Sequence, residues 1–423
     1  MIQSLDVHLW GRRVGTLVAY EQHHVTKTCF YFDEPYVRDG YDLAPLRASL
    51  KGAAARNGLP IYADEGKLFG GLPSFIADSL PDHWGNKVFG EWAKAHHIKA
   101  RDLSPLDRLA YIGRRGMGAL EFLPPVAEDM EAPFQVEIES LYSLAQQALR
   151  EAEDFKASVS PDLMIESLFR VGTSAGGRCP KAVVNVNMET GECYSGQVAA
   201  PLPGFTPMLV KLDEHNGIPA TRIEYSYYLM AEDAGLPMTH SWLLRGKEAD
   251  HFLTTRFDRR GDEKIHVQTL AAMSPNASSY EDLFDTACRL AIVPSELKRL
   301  FVQMVMNVLA GNVDDHSKNF SFLMGKDGAW HASPAYDFTF TVDPSAPAYV
   351  NRHSLTVNGR DSDIGRRDLL EVAARYGVKG ASALVDRLAA VVRGYASYAK
   401  QAEVGSKWTE RITEETALRL EAL

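Results

Sequence analysis

A chain of 423 residues, 45% hydrophobic and 24% charged, has room for two or three domains, and that composition excludes long disorder, collagen and coiled-coil fibres. Its 45 Lys and Arg stand against 55 Asp and Glu, and the formal charge of −10 argues against tight nucleic-acid binding by the chain alone, because phosphate contacts need a basic surface. The four cysteines, at positions 29, 179, 193 and 288, form no C-x-x-C pair and read as free thiols of a reducing compartment. No apolar stretch approaches the ~18 residues that span a bilayer. The first seven residues carry neither a basic nor an apolar signal region. A cytoplasmic protein with no membrane partner is expected.

The chain opens as β structure. Leu5, Val7 and Leu9 alternate with Asp6 and His8, a turn follows at 11–13, and 14–20 return as the second strand of a hairpin. Residues 28–32 read as another strand and 33–45, with their Pro, Gly and Asp, as a loop. Helical periodicity covers 74–80 and 84–96. Residues 113–118, Gly-Arg-Arg-Gly-Met-Gly, make a basic turn with two solvated arginines, anion contact being the less common use of such a turn. The acidic, proline-bearing stretch 124–139 is the best domain boundary, and no internal repeat is present. Beyond it, 138–151 and 161–169 carry helical patterns, 172–177 are Gly-rich, 181–186 alternate as a strand, and 189–192 turn. Residues 208–212 form an apolar strand with one lysine, Lys211. A helix over 222–234 stops at Gly235, and strands follow near 241–244 and 252–257. From Tyr280 onward the pattern is helical, broken by one hairpin near 320–332.

Polar and ionisable residues crowd 309–320, after an apolar-periodic helix over 297–309 and before an apolar run. Asp314 and Asn319 are five apart, the D-x-x-x-x-N of a protein-kinase catalytic loop, where the Asp accepts a hydroxyl proton and the Asn holds a metal ion. A further ligand then belongs on a loop after a hairpin. Asp337 supplies it, eighteen residues after Asn319, with a turn at 325–328 between. Mg²⁺ favours hard oxygen donors and takes only one or two from protein, which suits Asn319 and Asp337 and leaves Asp314 for the nucleophile. Each residue alone is a common turn residue; the three in this order point to chemistry. A triphosphate also needs a strand lysine paired with a helix glutamate. Lys211 sits in an apolar strand where an unpaired charge is costly, and Glu224 follows thirteen residues later. As an edge-strand residue Lys211 would instead face solvent. The Gly-rich segment one strand earlier is neither G-x-G-x-x-G nor a Walker loop. Its backbone around Gly176 and Gly177, with Arg178 or Lys181, is still able to cradle phosphate, although a plain turn is the commoner use. Residues 256–260, Arg-Phe-Asp-Arg-Arg, end a strand. In a kinase the chain crosses between lobes here and its backbone, at Thr255 and Phe257, meets adenine; the alternative is a structural salt-bridge cluster.

This combination resembles the HipA family, the serine/threonine kinase toxins of bacterial toxin–antitoxin pairs, over most of the chain. The family's G-x-x-D-x-H-x-K-N-F-S segment is matched by Gly311, Asp314, His316, Lys318, Asn319, Phe320 and Ser321, and its tyrosine–aspartate by Tyr336 and Asp337. Its R-F-D-R strand end falls on Arg256 to Arg259, its lysine strand on Lys211, the following glutamate on Glu224, and its serine-bearing loop on Ser174 to Lys181. Trp10, Gly11 and the Leu80, Pro81, Asp82 segment are similar to its N-terminal subdomain. Asp315 stands where many members carry Gly, and Pro180 closes the serine loop. The resemblance implies an α/β (α+β) protein with a kinase-like bilobal core and a helical C-terminal lobe, preceded by a β-rich N-terminal subdomain. The corresponding segments are 1–123, 124–260 and 261–423. It implies ATP and Mg²⁺ as cofactors, with Asp314 catalytic and Asn319 and Asp337 on the metal. It places Gly176, Gly177, Arg178, Lys181, Lys211, Glu224, Thr255, Phe257, His316, Lys318, Asn319 and Tyr336 at the nucleotide. Autophosphorylation at Ser174, with Thr173 a neighbouring acceptor, would be an off-switch. The implied partners are a protein substrate such as an aminoacyl-tRNA synthetase or another translation factor, a helix-turn-helix antitoxin, and operator DNA reached only through the antitoxin. A small-molecule kinase and an inactive kinase-like scaffold of a DNA-bound repressor stay as alternatives.

Overall fold

Alternation of apolar and polar residues at the start of the chain does produce a hairpin: β1 (Ser4–Leu9) pairs antiparallel with β2 (Arg12–Gln22), with a bulge between Val7 and His8. The computed structural model describes residues 2–22, 25–81, 83–99, 103–125, 133–150, 179–196, 202–214, 216–261, 263–343 and 345–423. The helix expected at 161–169, the Gly-rich segment with Thr173, Ser174, Gly176, Gly177 and Arg178, and Asp82 lie outside the described residues. The chain divides into two units. The first gathers Met1–Ile218, Leu244–Val267 and Gly325–Gly328, the second Pro219–Leu243, Gln268–Met324 and Ala329–Leu423.

In the first unit, β3 (Val25–Phe32), β4 (Ile61–Tyr62) and β5 (Leu120–Leu123) complete a sheet of order β4-β3-β2-β1-β5. Leu5, Val7, Leu9, Leu17 and Phe30 form its buried face. The loop expected at 33–45 contains a short helix, α1 (Glu34–Asp39). Its proline sits in the first turn, where no N–H is needed, and Tyr36 is buried, so packing overrides the local excess of breakers. The helix expected at 74–80 is a single turn, while that at 84–96 is α2 (His83–Ala95). A further helix, α3 (Pro105–Ile112), escapes periodicity because it is barely two turns long. A capping box sets it, with Ser104 and Asp107 each accepting the other's backbone N–H. The basic turn at 113–118 is present, but only one of its arginines is solvated: Arg115 is 2% exposed and donates to the Tyr111 carbonyl.

After α4 (Ile138–Arg150) come β6 (Lys181–Val186), β7 (Cys193–Ser195), β8 (Thr206–Lys211) and β9 (His251–Thr255), which lie side by side, all antiparallel, in the order β7-β6-β8-β9. Trp84 of α2 donates its indole N–H to the Lys181 carbonyl at 2.9 Å, and Trp10 donates to the Lys264 carbonyl at 2.7 Å. The amino-terminal sheet and the β6–β9 sheet therefore share one unit. All four cysteines are free thiols.

In the second unit, α5 (Ala220–Ala234) ends at Gly235 in the left-handed conformation. Ser279 and Asp282 cap α6 (Tyr280–Arg289) reciprocally. In α7 (Pro294–Ala310) every residue from Leu300 to Ala310 is buried, which makes it the central helix of this unit. The hairpin β10 (Ser321–Met324) and β11 (Trp330–Ala332) follows as expected. Continuous helix does not: the described residues of 333–365 are irregular apart from isolated bridges and one 3₁₀ turn, Ala348–Asn351, before α8 (Arg366–Arg375), α9 (Ala381–Arg393), α10 (Tyr395–Gln401) and α11 (Ser406–Glu421). That irregular stretch is held by side chains, and it carries much of the site. Antiparallel sheets and a helical unit make an α+β protein. No helix among the described residues is long and apolar enough to cross a membrane.

Candidate functional site

The segment 311–319 begins where α7 ends. Gly311 adopts φ 71°, and a Cβ there would lie 3.2 Å from the Phe340 ring and 3.3 Å from Val342, so glycine is required both for the left-handed turn and for the close packing. Thr341 then fixes the chain from outside. Its hydroxyl oxygen accepts the N–H groups of Val313 at 2.7 Å and Asp314 at 3.1 Å. The consequence is alternation: Val313 and Asp315 point inward and Asp314 is exposed. Asp315 is 0% exposed and fully engaged. Its carboxylate accepts from the Tyr280 hydroxyl at 2.6 Å, His353 Nδ1 at 2.8 Å and the Ser354 N–H at 2.8 Å. Burial, and then the neighbouring Asp315, push the Tyr280 phenol far above its usual pKa, so it remains a donor. Of the two adjacent acidic residues, Asp315 is buried and Asp314 is at the surface.

Asn319 is 8% exposed at the end of the 3₁₀ turn Ser317–Asn319. Its Nδ2 donates to the Asp314 carbonyl at 2.8 Å, which commits the amide nitrogen and leaves Oδ1 as the donor atom for a cation. The Tyr336 hydroxyl donates to the Lys318 carbonyl at 2.7 Å and lies 2.6 Å from the Ser321 hydroxyl, so it braces the 311–319 segment against the Asp337 loop. Asp337 holds φ 51°, a conformation that costs about 1–3 kcal/mol in a non-glycine residue. Its carbonyl accepts from Asn312 Nδ2 at 3.3 Å, and Asn312 is in turn tied to Asn307 Oδ1 at 3.0 Å. The second unit thus brings Asp314, Asn319, Tyr336 and Asp337 together on interlocked backbone. His316 and Lys318 lie half-buried in the same segment, and His316 Nδ1 is buried with no hydrogen-bond partner among the described residues. An amide oxygen and a carboxylate are the hard, sparse donor set that Mg²⁺ accepts when phosphate and water complete its shell. Among the described residues no cluster of three His, Cys, Asp or Glu forms an all-protein cage. Asn312, Thr341 and His353 are the residues that the sequence did not single out, and Asp315 stood there only as a departure from the family's glycine; each acts over distance, and only a capping-type Thr or Asn gives any local signal.

In the first unit, Lys211 is not an edge residue. Strand β8 lies between β6 and β9, and Lys211 is 8% exposed. It stands directly opposite Lys181, which is 1% exposed, so the two side chains share one face of the sheet, with Phe252 in the same row. The next row on that face is Val183, Leu209 and Thr254. The register thus concentrates two positive charges on one face of the sheet, beside an apolar row. Thr255 pairs with Met208 on the other face, so Thr254 is the threonine that shares the lysines' face. Burial pushes the Cys179 thiol up to about 12 against the opposing pull of Lys211, which keeps it protonated. Glu224 is buried on α5 of the second unit, and Phe257 follows β9 half-buried.

Arg256, Asp258 and Arg259 form the structural cluster that was the alternative reading of this strand end. Asp258 is 0% exposed and accepts from Arg256 Nε at 2.8 Å and Nη2 at 2.7 Å, from Arg259 Nη1 at 2.6 Å and from the Gly118 N–H at 2.7 Å. Arg259 also donates to the Gly116 and Gly118 carbonyls, each at 3.1 Å. The motif therefore clamps the basic turn onto the second sheet. Burial alone would raise the Asp258 carboxyl, but Arg256 and Arg259 outweigh it and hold the group well below the usual carboxylate range. Burial, then Arg256, lowers Arg259 to about 10 despite Asp258.

A sequence model of the HipA N-terminal domain matches residues 5–123, and one of the HipA-like C-terminal domain matches residues 173–398. No curated protein matches. Among solved structures, HipA of Shewanella oneidensis MR-1, solved with HipB and its operator DNA, is similar with a TM-score of 0.65 at 14% identity, over 98% of this chain and 95% of that chain. This is a likeness of fold. The proinflammatory kinase CtkA of Helicobacter pylori aligns over 52% of this chain and 89% of that chain at 14% identity, with a TM-score of 0.37, too loosely to carry weight.

Proposed function

The chain belongs to the HipA family, and on that premise we propose that it is an ATP- and Mg²⁺-dependent serine/threonine protein kinase that modifies a protein of the translation apparatus and itself. The observation that carries this reading is the exposed Asp314, whose own carbonyl orients the amide of Asn319. Bound Mg-ATP would supply the transferable phosphoryl group and part of the charge neutralisation. Asp314 orients the acceptor hydroxyl and takes its proton. Asn319 Oδ1 and the Asp337 carboxylate hold the cation. Lys211 and Lys181 bind phosphate oxygens, the backbone at Thr255 and Phe257 meets the base, and His316 and Lys318 counter developing charge. Tyr336 acts through Lys318, keeping the segment in register. Gly176, Gly177 and Arg178, the expected phosphate contacts, lie outside the described residues. A protein panel and a small-molecule panel incubated with labelled ATP and Mg²⁺ test this. Label on serine or threonine of proteins is expected. Label only on small molecules, or no ATP consumption at all, would overturn it.

Regulation follows from charge. A phosphoserine at position 174 adds about −1.5 to −2 charges beside the triphosphate, so it is expected to lower ATP affinity and silence transfer. After incubation with Mg-ATP, peptide mapping is expected to find phosphate at Ser174, and Ser174→Ala to remove it. A preparation that labels a substrate yet carries no phosphate within 172–181 would refute the switch. The Shewanella protein was solved with HipB and operator DNA. By analogy this cytoplasmic kinase is neutralised by a basic helix-turn-helix antitoxin that carries it to DNA. With its net charge of −10, the purified chain is expected to shift duplex DNA only weakly at physiological salt. Tight, sequence-specific shifts by the chain alone would contradict that.

A further inference from the structure

We propose that helix α11 is a strut for the catalytic segment, and that Arg419 and His353 are positioning residues acting on Asp314 through Asp315. The helix lies beyond residue 398, where the matched C-terminal family domain stops. Three groups stand in series beneath the segment. Asp315, fully buried, accepts from His353 Nδ1 at 2.8 Å. Because Nδ1 donates there, Nε2 is the accepting nitrogen, and Arg419 Nη1 lies 3.4 Å from it. The same guanidinium lies 3.4 Å from the Val308 carbonyl in the last turn of α7 and bonds Glu415 at 3.1 Å within its own helix. Its Nε lies 3.4 Å from where a Cβ on Gly311 would be.

One side chain of α11 therefore touches the exit of α7, the left-handed glycine and the imidazole under Asp315. These are the points that fix the start and the inward anchor of the stretch presenting Asp314. A carboxylate, an imidazole and a guanidinium in series set the ring's tautomer and orientation much as outer-shell partners do for a metal-bound histidine. The carboxylate cannot shift without losing charge-assisted bonds to Tyr280, His353 and Ser354. Loosening the strut should leave nucleotide binding by Lys211 and Lys181 intact while the position of Asp314 becomes less defined. A misplacement of about 1 Å at a reacting group costs up to ~10²-fold in rate.

The inference rests on the kinase reading only for its kinetic arm. The test uses Arg419→Gln, Arg419→Lys, His353→Gln and the Arg419→Gln/His353→Gln double variant in the full chain. Hydrogen exchange is read by mass spectrometry, and kcat and KM for ATP are normalised to the folded fraction from circular dichroism. Arg419→Gln is expected to speed exchange across residues 311–320 but not across α5, and to lower kcat about tenfold with KM within about twofold. Arg419→Lys should recover part of both, and the double variant should be no worse than the weaker single, because the residues act in series. Unchanged exchange in 311–320, or wild-type kcat per folded molecule, would overturn the strut. If the wild-type chain transfers no phosphate, the kinase reading fails and the exchange arm alone decides this one.

Discussion

Asp314→Asn is expected to lower phosphoryl transfer by ~10²–10⁴-fold while leaving the fold and ATP binding intact. The asparagine keeps the shape of the side chain and can still contact an acceptor hydroxyl, but it cannot take the proton. The fold should respond little, because the replacement is isosteric at an exposed residue and the segment is held through its backbone by Thr341 and Asn319. The neighbouring variant behaves differently. Asp315→Asn replaces one acceptor oxygen of a buried carboxylate that takes three hydrogen bonds, so it should lower the unfolding midpoint as well as the rate. Initial rates with labelled ATP, together with urea unfolding of both variants, check the pair. Near-wild-type transfer by Asp314→Asn, at normal stability, would remove that residue from the chemistry.

Asp258→Ala is expected to destabilise the chain by about 3–5 kcal/mol, the typical cost of leaving a buried ion cluster without one partner. Two guanidiniums, Arg256 at 1% and Arg259 at 8% side-chain exposure, would lose their carboxylate, and the Gly118 N–H would lose its acceptor. Here the loss of charge matters more than the loss of volume, so Asp258→Asn should recover only part of the effect. The pH dependence has a definite sign. The folded-state pKa is depressed, so the contribution is complete above the unfolded value of about 3.9 and is lost as pH falls through the folded value, in strong acid. Urea unfolding of wild type and Asp258→Ala at pH 7 and at about pH 2 checks both statements, the difference between the two proteins being expected to shrink at the lower pH. A midpoint unchanged by Asp258→Ala would show that the clamp contributes nothing.

Strands β1, β2, β6 and β8 were readable because alternation or an apolar run is a local property, and α7 because its apolar residues recur over many turns. Helices α1 and α3 were not, being too short for a period to show and depending on a buried Tyr36 and on a capping box. The irregular run 333–365 was mistaken for helix because nothing in its composition reveals that Asn312, Thr341 and Ser354 satisfy its backbone and the segment it supports.

The order and spacing of Asp314, Asn319 and Asp337, and a lysine inside an apolar strand, stand in the sequence itself, because chemistry that needs a general base and hard oxygen donors restricts residue type at set separations. Which of Asp314 and Asp315 reaches solvent is a tertiary decision. It depends on Thr341, His353 and Tyr280, residues 26 to 39 positions away along the chain, which pin one carboxylate inward and thereby turn the other out. The pairing of Lys181 with Lys211 is likewise decided by strand register, and the clamp role of Arg256, Asp258 and Arg259 by a turn more than a hundred residues earlier. Burial and hydrogen-bond partners are sums over the whole packed unit, and no local pattern of residues contains them.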